Sequence, residues 1–332
     1  MNKKAIVLFS GGLDSMLAVK LMLEQGIDVM ALHFSSIFCD SKSKKDRKHV
    51  KKAAIDLNVP LTDIDITREF MDIVKAPRYG RGGNMNPCID CRIFSFKKAG
   101  GFMRETGASF IVTGEVVGER PMSQTKHAID LIEKKSGLDG LIVRPLSAKL
   151  LTPSIPETSG IIDREKLLDI QGRSRKIQFS LAKKFGIEDY PNPAGGCLLT
   201  DKGFSNRLKD LLRRDSGCGA DDLELLKIAR HFRINETSRL LVGRDQKENE
   251  RLLLLAKPGD YVFDIIGIPS PIALARGNIN KEELSLAASI MARYSDVKSD
   301  SVNVSYSIFP SKDNRSITVN PASEQTISPL RI

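Results

Sequence analysis

The stretch AIVLFSGGLDS, residues 5–15, decides how the rest of the chain is read. Five apolar residues lead into Ser10, two glycines follow, and Leu13, Asp14 and Ser15 open a helical pattern that runs to Gln25. A short apolar run bounded by glycine reads as a buried strand, and passage to a helix across a glycine turn begins a strand–helix–strand unit. Gly11 and Gly12 let backbone N–H groups come close to phosphate oxygens, and the helix N-terminus adds partial positive charge there. A Walker loop would end in Lys followed by Ser or Thr. Here Asp14 and Ser15 stand at the helix start, where Asp14 is suited to hold magnesium or orient a pyrophosphate. The plainer reading, a glycine turn with Asp14 as a cap, is outweighed by the full six-residue string at this position.

Outward from that unit, apolar runs at residues 5–9, 29–34, 61–66, 110–112 and 141–143 alternate with helical patterns at 14–25, 44–57, 92–106 and 123–135. The alternation predicts a parallel sheet with helices on both faces, a Rossmann-like α/β domain. Residues 77–86, rich in Gly, Arg and Asn, read as a mobile loop. After Leu151 the texture changes: a Pro-rich turn, a short helix beyond the N-cap candidate Asp163, a basic stretch at 172–184 and a second turn-rich loop, YPNPAGGC, ending at Cys197. Phe204, Leu208, Leu211 and Leu212 then fall at helical spacing between arginines and lysines, an amphipathic basic helix that is either an ordinary surface helix or an RNA contact. Farther on, helices are expected at 221–229 and 281–293 and one opened by Asp245 with Glu248 in capping-box spacing. Strands are expected at 239–242, 261–265 and 272–275, with strand alternation at Val302, Val304, Tyr306, Ile317 and Val319. The division is thus 1–155 for the nucleotide-type domain, 156–200 for a linker and cysteine-bearing loop region, and 201–332 for a smaller α+β domain.

The 332 residues, 41% hydrophobic and 28% charged, exclude a largely disordered chain and leave room for two cores. No apolar stretch approaches a membrane span and the first run is too short for a signal peptide, so a cytoplasmic protein with no membrane partner is expected. A net charge of +10 favours a polyanionic partner. Five cysteines without a secretion signal argue against a disulfide framework.

The string SGGLDS resembles the PP-loop of the ATP pyrophosphatase superfamily, the adenine-nucleotide alpha-hydrolase or HUP-like fold, whose members cleave ATP between its α and β phosphates to adenylate a carbonyl oxygen. VTGEVVGERPMSQT, residues 112–125, is similar to the segment after the fourth strand of tRNA 4-thiouridine synthases. That resemblance implies ATP contacts from Ser10, Gly11, Gly12, Asp14 and Ser15, from Gly114 and Gln124, and from the adenine-contacting pair His33 and Phe34, with Mg2+ as companion. This chain has one extra residue between Gly114 and Gln124, and Glu119-Arg120 where that family tends to have Gln. NPCIDCR, residues 86–92, instead resembles tRNA 2-thiouridine synthases, and PAGGCLL their later lone cysteine. Together these likenesses cover about the first 200 residues. They imply a thiouridine synthase in which Asp14, Cys91 and Cys197 carry the chemistry, and leave open whether O2 or O4 is replaced. There is no room before Ser10 for the N-terminal RNA-binding domains of 4-thiouridine synthases, and no rhodanese-like extension, so RNA is expected to be held elsewhere.

Cys88, Cys91 and Cys197 admit four readings. They could ligate a [4Fe–4S] cluster with one iron open, act as a relay in which Cys197 carries a persulfide and Cys91 resolves it, bind a structural zinc lacking an obvious fourth ligand, or be three unrelated small apolar side chains. The cluster is the leading expectation, with sulfide or a cysteine-desulfurase persulfide as sulfur donor. Cys39 and Cys218 lack partner spacing and read as incidental.

RLLVGRDQKENERLLLLAKPGDYVFD, residues 239–264, and the later VNVSYS are similar to the RNA-binding domain of NFACT proteins. The likeness implies tRNA as partner and points to Arg244, Asn249 and Arg251 as RNA contacts; plain surface exposure is the competing reading. Two rivals to tRNA thiolation remain: a PP-loop sulfurtransferase or amidotransferase acting on a small molecule, and an RNA- or ribosome-binding regulator that senses nucleotide.

Overall fold

The computed structural model describes residues 1–39, 44–191, 196–215, 217–311 and 313–332. Most of the PAGG portion of the second turn-rich loop therefore lies outside the described residues. The chain divides into two compact units, residues 1–200 and 201–332.

In the first unit the elements run β1 (Lys4–Leu8), α1 (Leu13–Leu23), β2 (Asp28–Ser35), α2 (Lys44–Asp56), β3 (Leu61–Asp65), α3 (Thr67–Lys75), α4 (Cys88–Glu105), β4 (Phe110–Thr113), α5 (Lys126–Ser136), β5 (Ile142–Val143), α6 (Ile155–Thr158) and α7 (Lys176–Lys184). The five strands pair in parallel in the order β3-β2-β1-β4-β5. Strand order reverses between β1 and β4, and the crevice beyond the carboxyl ends of those strands is where open α/β sheets receive ligands. β1 reads AIVL because both sheet faces are covered: Ala5, Val7 and Phe9 pack with Leu13, Leu17 and Val29 on one side, and Ile6 and Leu8 with Phe96 and Ile132 on the other.

Residues 156–200 are not a linker. Ile162, Leu167, Ile170, Ala182 and Ile187 belong to the same core as Leu13 and Val29, and α7 packs on α1. Apolar residues spaced through a basic, proline-containing stretch hide this role, since their periodicity is interrupted by turns. Asp163 does cap, accepting from the N–H of Glu165 at 3.0 Å, but it opens only a single 3₁₀ turn, Arg164–Lys166. The helix α3 also went unanticipated.

The second unit comprises α8 (Lys202–Arg214), α9 (Ala220–Leu225), β6 (Arg230–Arg233), β7 (Arg239–Val242), α10 (Gln246–Leu254), β8 (Tyr261–Asp264), β9 (Ala273–Arg276), α11 (Lys281–Arg293), β10 (Val302–Ile308), β11 (Arg315–Val319) and α12 (Glu324–Ile327). Its six strands form an antiparallel sheet in the order β11-β10-β8-β9-β7-β6. α11 lays Leu284, Ala287, Ala288 and Met291 against Phe263, Val302 and Val304, and its N-cap Asn280 forms a reciprocal capping box with Glu283. The sequence-derived strands and helices of this unit thus assemble as α+β. A buried ion network ties its other face: Asp222 receives Arg239, Arg276 and Lys257, and Arg276 also grips Asp260. Burial would raise the Asp222 carboxyl, but hydrogen bonds from Lys257 and Arg276 outweigh it and hold it down to about 2. No helix among the described residues is long and apolar enough to cross a membrane.

Candidate active site

The turn between β1 and α1 is built by its glycines. Gly11 has φ of +73°, the left-handed region where a side chain is strained, and a Cβ there would lie 3.1 Å from Val50 Cγ2. Its carbonyl oxygen lies 3.0 Å from His49 Nε2. Ser10 Oγ accepts the N–H of Gly12 at 3.3 Å, and Ser15 Oγ donates to the Gly12 carbonyl at 2.7 Å. These contacts fix the loop so that the first turn of α1 faces the crevice, where its N–H groups have no intrahelical acceptors.

Gly114, just after β4, closes the same crevice from the other side. A Cβ on it would sit 2.4 Å from the Asp14 carbonyl oxygen and 2.6 Å from the Ser15 nitrogen, so only glycine permits this approach. The predicted loop contact Gln124 is buried and turned inward: its Oε1 accepts the Arg120 N–H at 3.0 Å, which closes the loop 118–124 on itself. Glu115, the acid of the TGE string, anchors the frame. It is buried between Arg144 Nε at 3.0 Å and Arg92 Nε at 3.2 Å, joining the end of β4 to α4 and to the segment after β5. His33 and Phe34 lie at the carboxyl end of β2; His33 Nδ1 meets the Phe9 carbonyl at 2.8 Å, and Phe34 is half-buried against the Phe96 cluster.

Asp14 has a neighbour that sequence reading passed over. Arg175, at the start of α7, places Nη2 3.8 Å from Asp14 Oδ2. Burial pushes the Asp14 carboxyl above its ordinary value while Arg175, Gln178 and Arg120 pull against that rise. Asp14 Oδ1, Arg175 Nε and Nη1 and both amide atoms of Gln178 are buried with no hydrogen-bond partner among the described residues. Gln178 acts on the Asp14 carboxyl without a bond of good geometry. Buried polar atoms left unmatched are costly, so a cluster of them beside a glycine loop marks a place for a polar, anionic guest. The signal was present in GRSRKIQF, residues 172–179, but a basic run some 160 residues from Asp14 does not announce which of its charges turns inward.

The cysteines gather at an adjoining corner. Cys88 and Cys91 lie in the first turn of α4, which begins at Cys88, ahead of the helix expected at 92–106. The segment at 197–200 runs between two others: the Leu198 N–H donates to the Phe38 carbonyl at 2.8 Å, while the Leu199 and Thr200 carbonyls accept from Met85 N–H and Asn84 Nδ2 at 3.0 and 2.7 Å. Cys197, Cys39 and Cys88 all bear electrostatically on Cys91, and Cys39 stands opposite Cys197 in a β-bridge. Burial pushes the Cys91 thiol up to about 12 and the Cys197 thiol up to about 11. Arg92, next to Cys91, pairs with Glu115, next to Gly114, and Gly114 packs on Asp14, so the glycine-loop crevice and the cysteine corner are neighbours. Cys39, read as incidental, is part of the corner; its place just beyond the carboxyl end of β2 was the available clue. No group of three or more His, Cys, Asp and Glu side chains among the described residues is arranged to hold a metal ion. Cys88, Cys91 and Cys197 therefore do not form, among the described residues, a ready ligand set for a cluster.

In the second unit the three expected RNA contacts prove to be engaged. Asn249 Oδ1 accepts the Ile272 N–H at 2.9 Å and its Nδ2 donates to the Ser270 carbonyl at 3.3 Å, tying α10 to the segment before β9. Gly243 is required beneath it, since a Cβ would meet Asn249 Oδ1 at 2.1 Å. Asn249 is thus a structural clasp. Arg244 and Arg251, each half-exposed, pair with Glu248 and Glu224. Asp245 caps α10 through the Glu248 N–H at 2.9 Å, whereas the Glu248 carboxylate turns to Arg244 and to the Ala229 N–H instead of closing a capping box.

Comparison with known proteins now adds to this geometry. Residues 1–149 match the family described as thiamine biosynthesis protein (ThiI). The first unit is thus similar to the PP-loop domain of that family. Residues 229–330 match the family described as NFACT protein RNA binding domain. The tRNA-specific 2-thiouridylase MnmA of Syntrophotalea carbinolica is 34% identical over 124 residues, 34% of this chain and 34% of its own length. MnmA 2 of Thermoanaerobacter sp. (strain X514) is 26% identical over 227 residues, 63% of this chain and 58% of that relative. The chain thus spans well under two thirds of the length of these curated relatives. A 4-thiouridine synthetase solved with RNA and bound ATP is 22% identical, with a TM-score of 0.36 over 68% of this chain and 52% of that one. The C-terminal part of the fibronectin/fibrinogen-binding protein of Streptococcus suis is 15% identical, with a TM-score of 0.29 over 62% of this chain and 92% of that one.

Proposed function

We propose that the protein is an ATP-dependent tRNA sulfurtransferase that adenylates a uridine carbonyl oxygen and replaces it with sulfur. The observation that carries this reading is the adjacency of two kinds of chemistry: a glycine loop similar to that of the ThiI family with unmatched buried polar atoms, and a thiol corner joined to it by the ion pair between Arg92, next to Cys91, and Glu115, next to Gly114. The residues suit Mg-ATP. Asp14 Oδ1 is free to meet a metal, Arg175 Nε and Nη1 to meet phosphate oxygens, and the α1 N-terminus to take up negative charge. ATP supplies an activating adenylyl group, with pyrophosphate leaving. The protein's part is to hold the α-phosphate in line with the base oxygen and to stabilise charge as it develops. The target uridine must be unstacked to enter the crevice, and the NFACT-type unit supplies the surrounding RNA grip. Of the two main cysteine readings, a sulfur relay through Cys197 is favoured over the cluster, because the segments of Cys39 and Cys197 are paired in a β-bridge and no group of three or more His, Cys, Asp and Glu side chains among the described residues is arranged to hold a metal ion.

The rival small-molecule acceptor leaves the RNA-binding unit without a task. The test is pyrophosphate release from ATP by the purified chain with and without unmodified tRNA. Release stimulated by tRNA and abolished in a folded Asp14→Ala variant supports the assignment; release equal with and without tRNA transfers it to a small acceptor.

A further inference from the structure

Cys39 and Cys197 stand opposite each other in an isolated antiparallel β-bridge. The bond closing that bridge joins their flanking residues, Leu198 N–H to Phe38 carbonyl at 2.8 Å, so the two cysteines occupy a non-hydrogen-bonded position. Residues so paired have Cα atoms about 4.5 Å apart with their side chains closest together. A disulfide spans Cα separations of about 4.4 to 6.8 Å. Cys91 has no such backbone register with Cys197; it sits in the first turn of α4, a separate element. Cys39 is also solvent-exposed, where a reductant can reach it.

We infer that Cys39 and Cys197 form a dithiol–disulfide pair in which Cys39, and not Cys91, resolves the sulfur-bearing Cys197. The catalytic part of the inference rests on the thiolation reading. A persulfide donor passes its outer sulfur to the Cys197 thiolate and leaves as a thiol. The terminal sulfur on Cys197 attacks the adenylated carbon and expels AMP, leaving the base joined to Cys197 through a sulfur–sulfur bond. The Cys39 thiolate then attacks Cys197 Sγ. That bond breaks, its electron pair leaves on the sulfur attached to the base, and the Cys39–Cys197 disulfide replaces it. One sulfur–sulfur bond is exchanged for another, so no oxidant is consumed. A small or protein dithiol returns the pair to thiols and is itself oxidised to a disulfide.

Tryptic cleavage separates the thiols cleanly: Cys39 falls in peptide 21–42, Cys197 in 185–202, and Cys88 with Cys91 in 82–92. The full-length protein is equilibrated in glutathione redox buffers, quenched with alkylating reagent and mapped without reduction. A cross-link between 21–42 and 185–202 is expected as the first disulfide to form, retained in Cys91→Ser. A link from 185–202 to 82–92 in its place, or a Cys197 that stays alkylatable while other thiols oxidise, overturns the pairing. In a single turnover with a persulfide donor, ATP and tRNA but no reductant, Cys39→Ser should stall as a reducible protein–tRNA adduct through Cys197. Thiolated tRNA appearing while Cys39 remains alkylatable refutes this inference and leaves the proposed function standing. The cross-link forming in redox buffer while no tRNA gains sulfur refutes the function and leaves the pair.

Discussion

Replacing Gly114 by Ala adds one methyl group at the tightest point of the crevice. The new Cβ would lie 2.4 Å from the Asp14 carbonyl oxygen, 2.5 Å from its carbon and 2.6 Å from the Ser15 nitrogen. All three are backbone atoms, so no side chain can swing away. To restore ordinary contact the start of α1 must retreat from β4 by about 1 Å, against a helix whose Leu13, Leu17 and Val19 are fully buried. Forcing a methylene into a packed site costs about 1 to 3 kcal/mol, which in a unit of this size lowers the melting temperature by roughly 2 to 4 °C per kcal/mol. The unit should therefore remain folded. Catalysis should suffer far more, since a misplacement of about 1 Å can cost on the order of 10²-fold, and the displaced peptide carries Asp14 and the phosphate-facing N–H groups. The assay is tRNA-stimulated pyrophosphate release, run beside circular dichroism and thermal melting of the same preparation. A Gly114→Ala enzyme that melts normally and keeps at least half its activity would refute the claim that this approach sets the phosphate site.

Arg175→Leu removes a cation aimed at Asp14 and the anion position; pyrophosphate release should fall by on the order of 10² while melting changes little, and wild-type turnover would exclude Arg175 from the site. His231 predicts an acid-sensitive second unit. Burial first, then the charge of Arg207, lowers its imidazole from 6.5 to about 3 even though its Nε2 lies 2.9 Å from the Ile228 carbonyl. The unfolded chain takes up a proton below pH 6.5 that the folded unit refuses, so stability is present above that pH and is lost as pH falls towards 3, by up to about 4 kcal/mol. Urea unfolding across that range should show the loss, and His231→Gln should flatten it; an unchanged slope would contradict a neutral buried imidazole. The Asp222 network adds a separate loss between pH 3.8 and about 2. A chain ending at Thr200, the boundary of the first unit, should bind tRNA more weakly and with a shallower salt dependence; equal slopes for both lengths would place the RNA grip in the first unit.

The parts of this architecture that were legible in the sequence are those fixed by local chemistry. The five apolar runs became the five parallel strands, the inner β1 and β4 because they are buried on both faces, while the edge strand β3 is only partly covered, and the SGGLDS turn needs its glycines wherever it occurs. The strands of the second unit likewise follow from alternation, as Val302 and Val304 face the core while Asn303 faces out. What escaped was long-range. Nothing local distinguishes Arg175, which turns to Asp14, from Arg173 beside it. Gln124 was legible as a loop residue but not as one whose side chain closes its own turn, and Asn249 looks like a surface amide until Ile272 and Ser270 are seen to occupy it. Cys39 offered no CxxC spacing, yet its segment pairs with that of Cys197 across more than 150 residues of chain. Such partners are set by how the sheet brings its carboxyl ends together.

The central claim is that ATP cleavage at the glycine loop drives exchange of oxygen for sulfur on a tRNA uridine, and it is tested most directly by following both products in one reaction. The purified chain is incubated with α-labelled ATP, Mg2+, a persulfide donor and tRNA from cells unable to thiolate it. Labelled nucleotide is resolved by chromatography, and the tRNA is digested to nucleosides for mass spectrometry. The account predicts AMP with pyrophosphate, and thiouridine formed in step with AMP and lost in Asp14→Ala and Cys197→Ser. Formation of ADP and phosphate, or of AMP with every uridine left unthiolated, would contradict it.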